Sequence, residues 1–294
     1  SWQLDESGVL SVTGTGTMSS HPWTSYKTLV RIANIGSGVT SIVDDAFEDC
    51  SSLTSITIPD SVTSIGEFAF SDCYSLTCVT IPETVTSIEM GAFYSCYNLT
   101  SITIPESVTS IGSGAFWGCS SLTSIFIPEA VMSIGGGAFA GCSSLVGIQV
   151  DANNKSYTSV DGILSNKSKT TLVQVPGTLS GSYIIPDYVT SIGIGAFAGC
   201  SSLTTITIPD SVTSIGDSAF YDCSSLTSIT IPDSVTSIGS RAFYNCRRLT
   251  SITIPSSVKK INNRAFDDCG LTVIVILSPD CEIADSSFTV SSID

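Results

Sequence analysis

The sequence predicts an α/β repeat solenoid, a right-handed superhelix of 23-residue coils built mostly from short strands with little helix and capped at both ends. The first observation is repetition, because Ala-Phe-x-x-Cys occurs nine times and successive copies are 23 residues apart with one exception. The second is the alternating Leu-x-x-Ile-x-Ile-Pro segment after the Cys, as at 53–59, which indicates a short strand with every second side chain inward. Val-x-x-Ile-Gly then leads to the next Ala-Phe. One coil cannot bury its own apolar edge, so neighbouring coils must stack.

Both ends of the chain depart from this repeat. We expect residues 1–35 to form an N-terminal cap with a hairpin, in which the segments 2–5 and 8–12 pair. Residues 36–269 are predicted to form the solenoid, and residues 270–294 a degenerate last repeat and C-terminal cap. Caps are needed because an uncovered terminal coil would expose its core and an open strand edge.

A longer interval interrupts the repeat after the fifth Ala-Phe-x-x-Cys copy. We expect a hairpin insertion at about 151–182. Its two strands are predicted at 157–164 and 172–176, joined by a polar turn around Asn166 and Lys167.

The composition excludes several kinds of partner. The net charge of -15 and the pI near 4.1 argue against nucleic-acid backbones and anionic lipid surfaces. No apolar run reaches the roughly 18 residues of a membrane span, so we expect no membrane insertion. The chain opens at Ser1 without Met, which indicates a mature or trimmed polypeptide, and polar caps predict a monomer.

The three motifs Leu-x-x-Ile-x-Ile-Pro, Val-x-x-Ile-Gly and Ala-Phe-x-x-Cys resemble those of the BspA-like leucine-rich repeat proteins along nearly the whole chain. Trp2–Asp5 and Gly14–Met18 look like the cap of that family, and Asp161–Leu164 looks like its hairpin insertion. The resemblance implies a leucine-rich-repeat fold in a bacterial surface or secreted protein, with an extracellular or cell-surface location. It further implies adhesion to host matrix proteins or bacterial coaggregation, and it brings no catalytic motif.

The residues offer little for catalysis or for a cofactor. The sequence has one histidine, His21, which lies in the predicted cap beside Pro22. A lone His without a partner is a poor candidate for a base or a metal ligand. The sequence has no Ser-His pair, no cluster with metal-ligand spacing and no Gly loop of the kind that holds phosphate. We therefore predict a chain that is not an enzyme and that uses no cofactor or metal.

The regular cysteines could be metal ligands, disulfides or buried thiols. They recur at one inward position after each Phe, and in-register side chains on stacked coils point the same way, which is a poor geometry for bridging. Free Cys is among the most buried residue types, so we predict reduced, buried thiols. Cys78 and Cys281 lie outside this ladder, and Cys78 takes a strand position where other coils have Ser, which predicts an exposed thiol.

The best binding candidates interrupt the repeat on its surface. The outward strand positions form a Ser and Thr ladder, which either keeps the strands soluble or binds a polymer, and Phe126 would expose a ring on it. Arg247 and Arg248 belong to a basic cluster that could orient a partner. Another group of aromatics follows the Phe or the Cys on consecutive coils and suits protein or sugar contacts, or else packing between coils: Tyr74, Tyr94, Tyr97 and Trp117.

A column of acidic residues follows the Pro that ends each strand: Asp60, Glu83, Glu106, Glu129, Asp187, Asp210 and Asp233. Carboxylates one coil apart repel each other, and a divalent cation could bridge them. A solvated rim is the favoured interpretation.

Together these features predict a non-catalytic surface or secreted interaction module, which adheres by binding a protein on a host or microbial surface. One alternative is a carbohydrate-binding module that contacts glycan through Tyr94, Tyr97 and Trp117. The other is a passive spacer within a larger surface protein.

Overall fold

The computed structural model describes residues 1–18, 20–284 and 286–288. It is a β-solenoid of about 12 turns, roughly 23 residues apart, with almost no helix, which confirms the predicted fold class of short-stranded coils. The chain divides into two compact units, Ser1–Tyr157 and Thr158–Asp294. Among the described residues, no helix is long and apolar enough to cross a membrane.

The first unit consists of an N-terminal hairpin followed by stacked coils. Its strands are β1 (Trp2–Leu4), β2 (Val9–Val12), β3 (Gly16–Thr17), β4 (Ile32–Ile35), β5 (Val39–Ile42), β6 (Ser55–Thr57), β7 (Ser64–Ile65), β8 (Cys78–Thr80), β9 (Ser87–Ile88), β10 (Ser101–Thr103), β11 (Ser110–Ile111), β12 (Ser124–Ile127), β13 (Ser133–Ile134) and β14 (Gly147–Val150). A 3₁₀ helix covers Thr24–Leu29. Strands β1 and β2 pair antiparallel, whereas β2, β4, β6, β8, β10, β12 and β14 follow one another in one column and β3, β5, β7, β9, β11 and β13 in another.

The second unit repeats this arrangement after the insertion. Its strands are β15 (Tyr157–Val160), β16 (Ile163–Asn166), β17 (Thr171–Gln174), β18 (Gly181–Ile184), β19 (Ser191–Ile192), β20 (Leu203–Thr207), β21 (Ser214–Ile215), β22 (Ser228–Thr230), β23 (Ser237–Ile238), β24 (Ser251–Ile254), β25 (Lys260–Ile261), β26 (Val273–Ile276) and β27 (Glu282–Ile283). The first residue of β15, Tyr157, is the last residue of the first unit. One column contains β18, β20, β22, β24 and β26, and the other contains β17, β19, β21, β23, β25 and β27.

The insertion differs from the prediction of two strands. The segment predicted as one strand over 157–164 is two strands, β15 and β16, because Asp161 and Gly162 form a turn with φ of 52° and 79°. An Asp-Gly pair with positive φ at both residues is the usual two-residue connection of a hairpin. Strand β16 then pairs antiparallel with β17, and β17 pairs parallel with β19 of the regular coils.

Parallel pairing keeps the coils in register. Val79 pairs with Ile102 and Ile88 pairs with Ile111, so each residue lies beside the one 23 positions further along. Because side chains alternate along a strand, this register places Ile over Ile inside and leaves the flanking Ser and Thr at the surface. The outward residues Ser101 and Thr103 are exposed, while Ile102 between them is buried.

The turn around each Ala-Phe is also paired with the next coil. In the coil of Phe70, the residues Phe68 and Asp72 have φ of 52° and 58°, which bends the chain on both sides of the buried ring. The Phe70 N–H donates to the Ala92 carbonyl oxygen at 2.8 Å, and the Asp72 N–H donates to that of Tyr94 at 2.8 Å. The turn therefore satisfies its backbone groups as a strand does.

Stacked aromatic rings fill the core under these turns. In the first unit the stack begins at Trp23, whose indole N–H donates to the Ala46 carbonyl oxygen at 2.9 Å and whose ring lies 5.5 Å from Phe47. The next rings follow at centroid distances of 5.2 to 5.6 Å: Phe70, Phe93, Phe116 and Phe139. In the second unit the spacing is 5.1 Å along Phe197, Phe220, Phe243, Phe266 and Phe288.

The cysteines close the same core, and the prediction of free, buried thiols is confirmed for the regular positions up to Cys246, with Cys269 half-buried. Most of these thiols donate to the carbonyl oxygen of the Phe in the preceding coil, as Cys96 does to Phe70 at 3.2 Å, whereas Cys200 donates to that of Pro176 at 3.5 Å. Cys78 is exposed, as predicted.

Removing one ring of the stack should cost far more than removing an exposed ring. Phe93 is fully buried between Phe70 and Phe116, so we expect Phe93→Ala to lower the free energy of unfolding by about 3–5 kcal/mol. Urea unfolding followed by circular dichroism measures this. Phe126→Thr, which restores the residue found at Thr103, is the matched control and should change stability by less than about 0.5 kcal/mol. Equal losses in the two variants would contradict the stacked core.

The buried thiols should make the protein unstable at alkaline pH. Burial raises the pKa of Cys50, Cys142 and Cys200 from 9.0 to about 12. An unfolded thiol loses its proton above pH 9 while the folded one keeps it, so each thiol should cost about 1.4 kcal/mol of stability per pH unit in this interval.

The measurement is the urea midpoint under reducing conditions from about pH 8 to about pH 10.5. The midpoint should fall with rising pH, and it should fall less steeply in Cys142→Ala, whereas Cys78→Ser should behave as the parent. A midpoint that does not change across this range would overturn the assignment.

Candidate functional site

Exposed aromatic side chains form two separate pairs in the first unit. Tyr74 and Tyr97, each directly after the Cys of its coil, stack at 5.0 Å with an interplanar angle of 5° and are 40% and 45% exposed. Tyr94 and Trp117, each directly after the Phe, stack at 6.4 Å and are half-buried. The four aromatics predicted as one group are therefore two stacked pairs, and one of them is much more open to a partner than the other.

The Tyr74 and Tyr97 pair is held in place by its surroundings. Burial raises the pKa of the Tyr74 phenol, and the negative charge of the neighbouring Asp72 raises it further. Each ring of the pair stacks on the other at 5.0 Å, which restricts its rotation and reduces the entropy that a partner would have to overcome.

Glycines make room for the second pair. The Trp117 ring lies over Gly137, where an added methyl group would come within 2.8 Å of the Trp117 Cζ3 atom. A third ring of this kind, Phe68, covers Gly91 and was not among the candidates predicted from the sequence. Phe68 has a left-handed backbone conformation at the position where the following coils carry Gly91, Gly114 and Gly137. A Phe in place of these Gly residues is the feature of the sequence that could have identified this ring. A bulky residue with positive φ costs roughly 1–2 kcal/mol, so the ring is retained against a conformational penalty.

Phe126 exposes its ring on the hydroxyl face. It is 43% exposed on β12 and pairs with Gln149 of β14. Two further exposed apolar residues occur in this part of the chain, Met132 and Val146, which stand where the preceding coil has Thr109 and Thr123. Neither residue was among the candidates predicted from the sequence.

Thr residues that directly precede the strands form columns along the coils, and their hydroxyls donate hydrogen bonds to the backbone of the preceding coil. The Thr77 hydroxyl donates to the Thr54 carbonyl oxygen at 3.5 Å, and the Thr100 hydroxyl donates to that of Thr77 at 3.3 Å. A second column does the same, as Thr109 does to Thr86 at 3.2 Å. These hydroxyls therefore link neighbouring coils, and their donor groups are already used within the protein.

The basic candidates lie among acidic and polar groups. Arg247 and Arg248 are exposed, and the Arg247 Nε–H donates to the Asn245 side-chain oxygen at 2.6 Å. Arg247 also lines a shallow depression with Asp268 and Gly270. A nearby carboxylate weakens the attraction of this surface for an anion.

The remaining candidates show no assembled chemistry. His21 lies 6.4 Å from the Trp23 ring, centroid to centroid. The seven residues of the acidic column, Asp60 to Asp233, are all exposed. Within the part of the chain that the structure describes, no group of three or more His, Cys, Asp or Glu side chains is placed to hold a metal ion.

Sequence comparison relates these repeats to known proteins. The BspA type leucine-rich repeat region matches residues 26–160 and 178–294 in six copies. The chain belongs to the BspA-type leucine-rich repeat family. Membership fits a protein-interaction module, and the fold is that of repeat proteins that are typically non-catalytic. No curated protein matches the chain.

Solved structures agree with this family. A leucine-rich repeat protein from Eubacterium ventriosum is 31% identical with a TM-score of 0.79, covering 93% of this chain and 82% of its own. A leucine-rich cell surface protein from Faecalibacterium prausnitzii is 30% identical with a TM-score of 0.67, covering 98% and 96%. The pneumococcal vaccine antigen PcpA, at 22% identity and a TM-score of 0.71 over 89% and 70%, shares the fold.

Proposed function

We propose that this BspA-type chain is a non-catalytic surface or secreted interaction module that acts as a monomer and binds proteins on a host or microbial surface. The observation that carries the proposal is the exposed, stacked pair of Tyr74 and Tyr97. Tyrosine is enriched among the residues that dominate protein interfaces, because it combines a large apolar area with a hydroxyl at little entropic cost.

The extracellular or cell-surface location is supported by family. The Faecalibacterium prausnitzii relative is a cell surface protein and is similar over nearly the full length of both chains. The composition of the core supports a non-catalytic role. The repeated Phe, Cys and inward Ile residues are buried in packing, and the sequence has a single His that could act as a general base. Adhesion through protein contacts is the role that such a scaffold serves best.

The test replaces the exposed pair by the residue that other coils carry. Ser51 and Ser120 occupy the same position in neighbouring coils, so Tyr74→Ser with Tyr97→Ser should preserve the fold. The purified chain is measured by biolayer interferometry against a panel of extracellular-matrix proteins and bacterial surface proteins. We expect at least one ligand whose binding weakens about tenfold or more in the double variant.

The matched control changes another stacked pair, Tyr221 and Tyr244, whose rings are 5.0 Å apart in the second unit. Tyr221→Ser with Tyr244→Ser should leave that ligand's affinity within about twofold of the parent. If the parent chain binds nothing above an unrelated acidic protein, the interaction proposal is wrong and the passive spacer is favoured.

A second candidate function is binding of carbohydrate, and a specific observation favours it. Trp117 stacks with Tyr94 and lies over Gly137, which leaves a flat aromatic surface beside residues without side chains. Flat rings next to an open backbone suit the apolar face of a sugar.

For this candidate, Tyr94→Ala with Trp117→Ala should abolish binding on a glycan array, whereas Phe126→Thr should not. The position of Trp117 is occupied by Ala140 in the next coil, so the variant should fold. Any glycan signal that survives the double variant unchanged would show that these rings are not the sugar site.

A further inference from the structure

Three departures from the repeat come together in the first regular coil of the second unit. Tyr183 pairs with Ile206 and Ile184 pairs with Thr207, so a Tyr takes an Ile position and an Ile takes a Thr position. Tyr188 stands where the next coil has Ser211, whose hydroxyl donates to the Val189 carbonyl oxygen at 2.6 Å. Ile184 and Tyr188 are exposed, so these two changes do not serve the packing of the core.

All three side chains line one cavity, which we name the hairpin cavity. Its volume is about 320 Å³, and the β15–β16 turn contributes Val160 and Asp161 to its lining. A cavity of this size lies at the lower end of the range found for ligand sites. Ile184 is 69% exposed, which is unusual for an Ile on a strand that packs against a core.

The inner side of the cavity is formed by a ring that packs against the core. The Tyr183 ring lies 6.0 Å from the buried Phe197 at an angle of 56°, so the core holds it. Burial raises the pKa of Tyr183, and the nearby Tyr188 and Asp161 raise it further.

The lining combines apolar walls with one negative charge. The rest of the lining is mostly apolar, formed by Ile163, Leu172 and Leu179 together with two prolines and Ser165. Among the described residues that line the cavity, Asp161 alone carries a charge. Its φ of 52° within the Asp-Gly turn fixes the backbone that presents the carboxylate.

We propose that the hairpin cavity binds a segment of a partner protein in which an aliphatic side chain stands next to a Lys or Arg. The aliphatic side chain packs against Val160, Ile184 and the Tyr188 ring, and the cation pairs with Asp161. This inference rests on the proposed protein-binding function and names the kind of segment recognised. Charge complementarity selects a basic segment, because the site is anionic and the whole chain has a net charge of -15.

A sugar fits these walls less well. Its hydroxyls would need polar partners, and most of the lining is aliphatic or proline. Transferring an apolar side chain from water to such walls is favourable, and the single carboxylate then gives specificity.

Methyl NMR of the full chain, labelled at Ile, Leu and Val, tests the proposal with N-acetyl-Leu-Lys-amide as the probe. Saturable shifts are expected at the methyl groups of Val160, Ile163, Leu179 and Ile184. N-acetyl-Leu-Glu-amide and N-acetyl-Ala-Lys-amide should each bind at least about threefold more weakly, because one reverses the charge and the other removes the apolar group.

Two variants separate the contributions, and both keep the backbone. Ile184→Thr with Tyr188→Ser restores the residues of the next coil and should abolish the shifts. Asp161→Asn, which retains a residue tolerant of positive φ, should weaken the Leu-Lys probe about threefold and remove its preference over Leu-Glu. Phe126→Thr is the control and should leave the titration unchanged.

The proposal is overturned if the probe produces no saturable shift at these methyl groups. It is overturned equally if Leu-Lys and Leu-Glu bind alike in the parent, or if the Ile184→Thr with Tyr188→Ser variant titrates as the parent does. Binding of surface proteins by the parent chain, measured by interferometry, reports on the proposed function independently. Protein binding without any shift at the cavity would sink this inference and leave the broader function standing.

Discussion

The in-register stacking of side chains at a fixed spacing is the constraint on which this structure depends. A ring such as Phe93 stacks on the equivalent rings of the coils before and after it, and the thiol of Cys96 reaches the carbonyl group of Phe70 only at this offset. A slip of one residue would turn Ile outward and Thr inward along every strand. The repeat therefore tolerates changes of residue at the surface much better than changes of length.

The interior could be predicted from the sequence because the same type of residue recurs at each inward position in coil after coil. Burial of Phe116 or Cys119 follows from periodicity alone, and Cys78 was predicted to be exposed because it broke the period at an outward position. The turn at Asp161 and Gly162 was missed although the pair is a strong hairpin signal, since the alternating residues around it resemble one long strand.

The candidate surfaces were predictable only in part. That Tyr74 and Tyr97 would be exposed could be expected, but their separation from Tyr94 and Trp117 depends on turn residues with positive φ, which redirect the chain within a few positions. The hairpin cavity could not be predicted from the sequence, because Tyr183 and Tyr188 each look like an isolated irregularity there and only the fold brings them together. The sequence shows which residues depart from the repeat, and the fold determines which of these residues lie next to one another.

The inserted hairpin also bears on how such a chain finds its structure. Near-identical coils carry little information about which of them should stack on which, so a folding chain of this kind can pair one coil with a wrong neighbour at small energetic cost. Strands β15 to β17 interrupt the 23-residue spacing of the regular coils, and β17 pairs parallel with β19 at the start of the regular column. A segment that fits one place only gives the second unit an unambiguous starting register during folding.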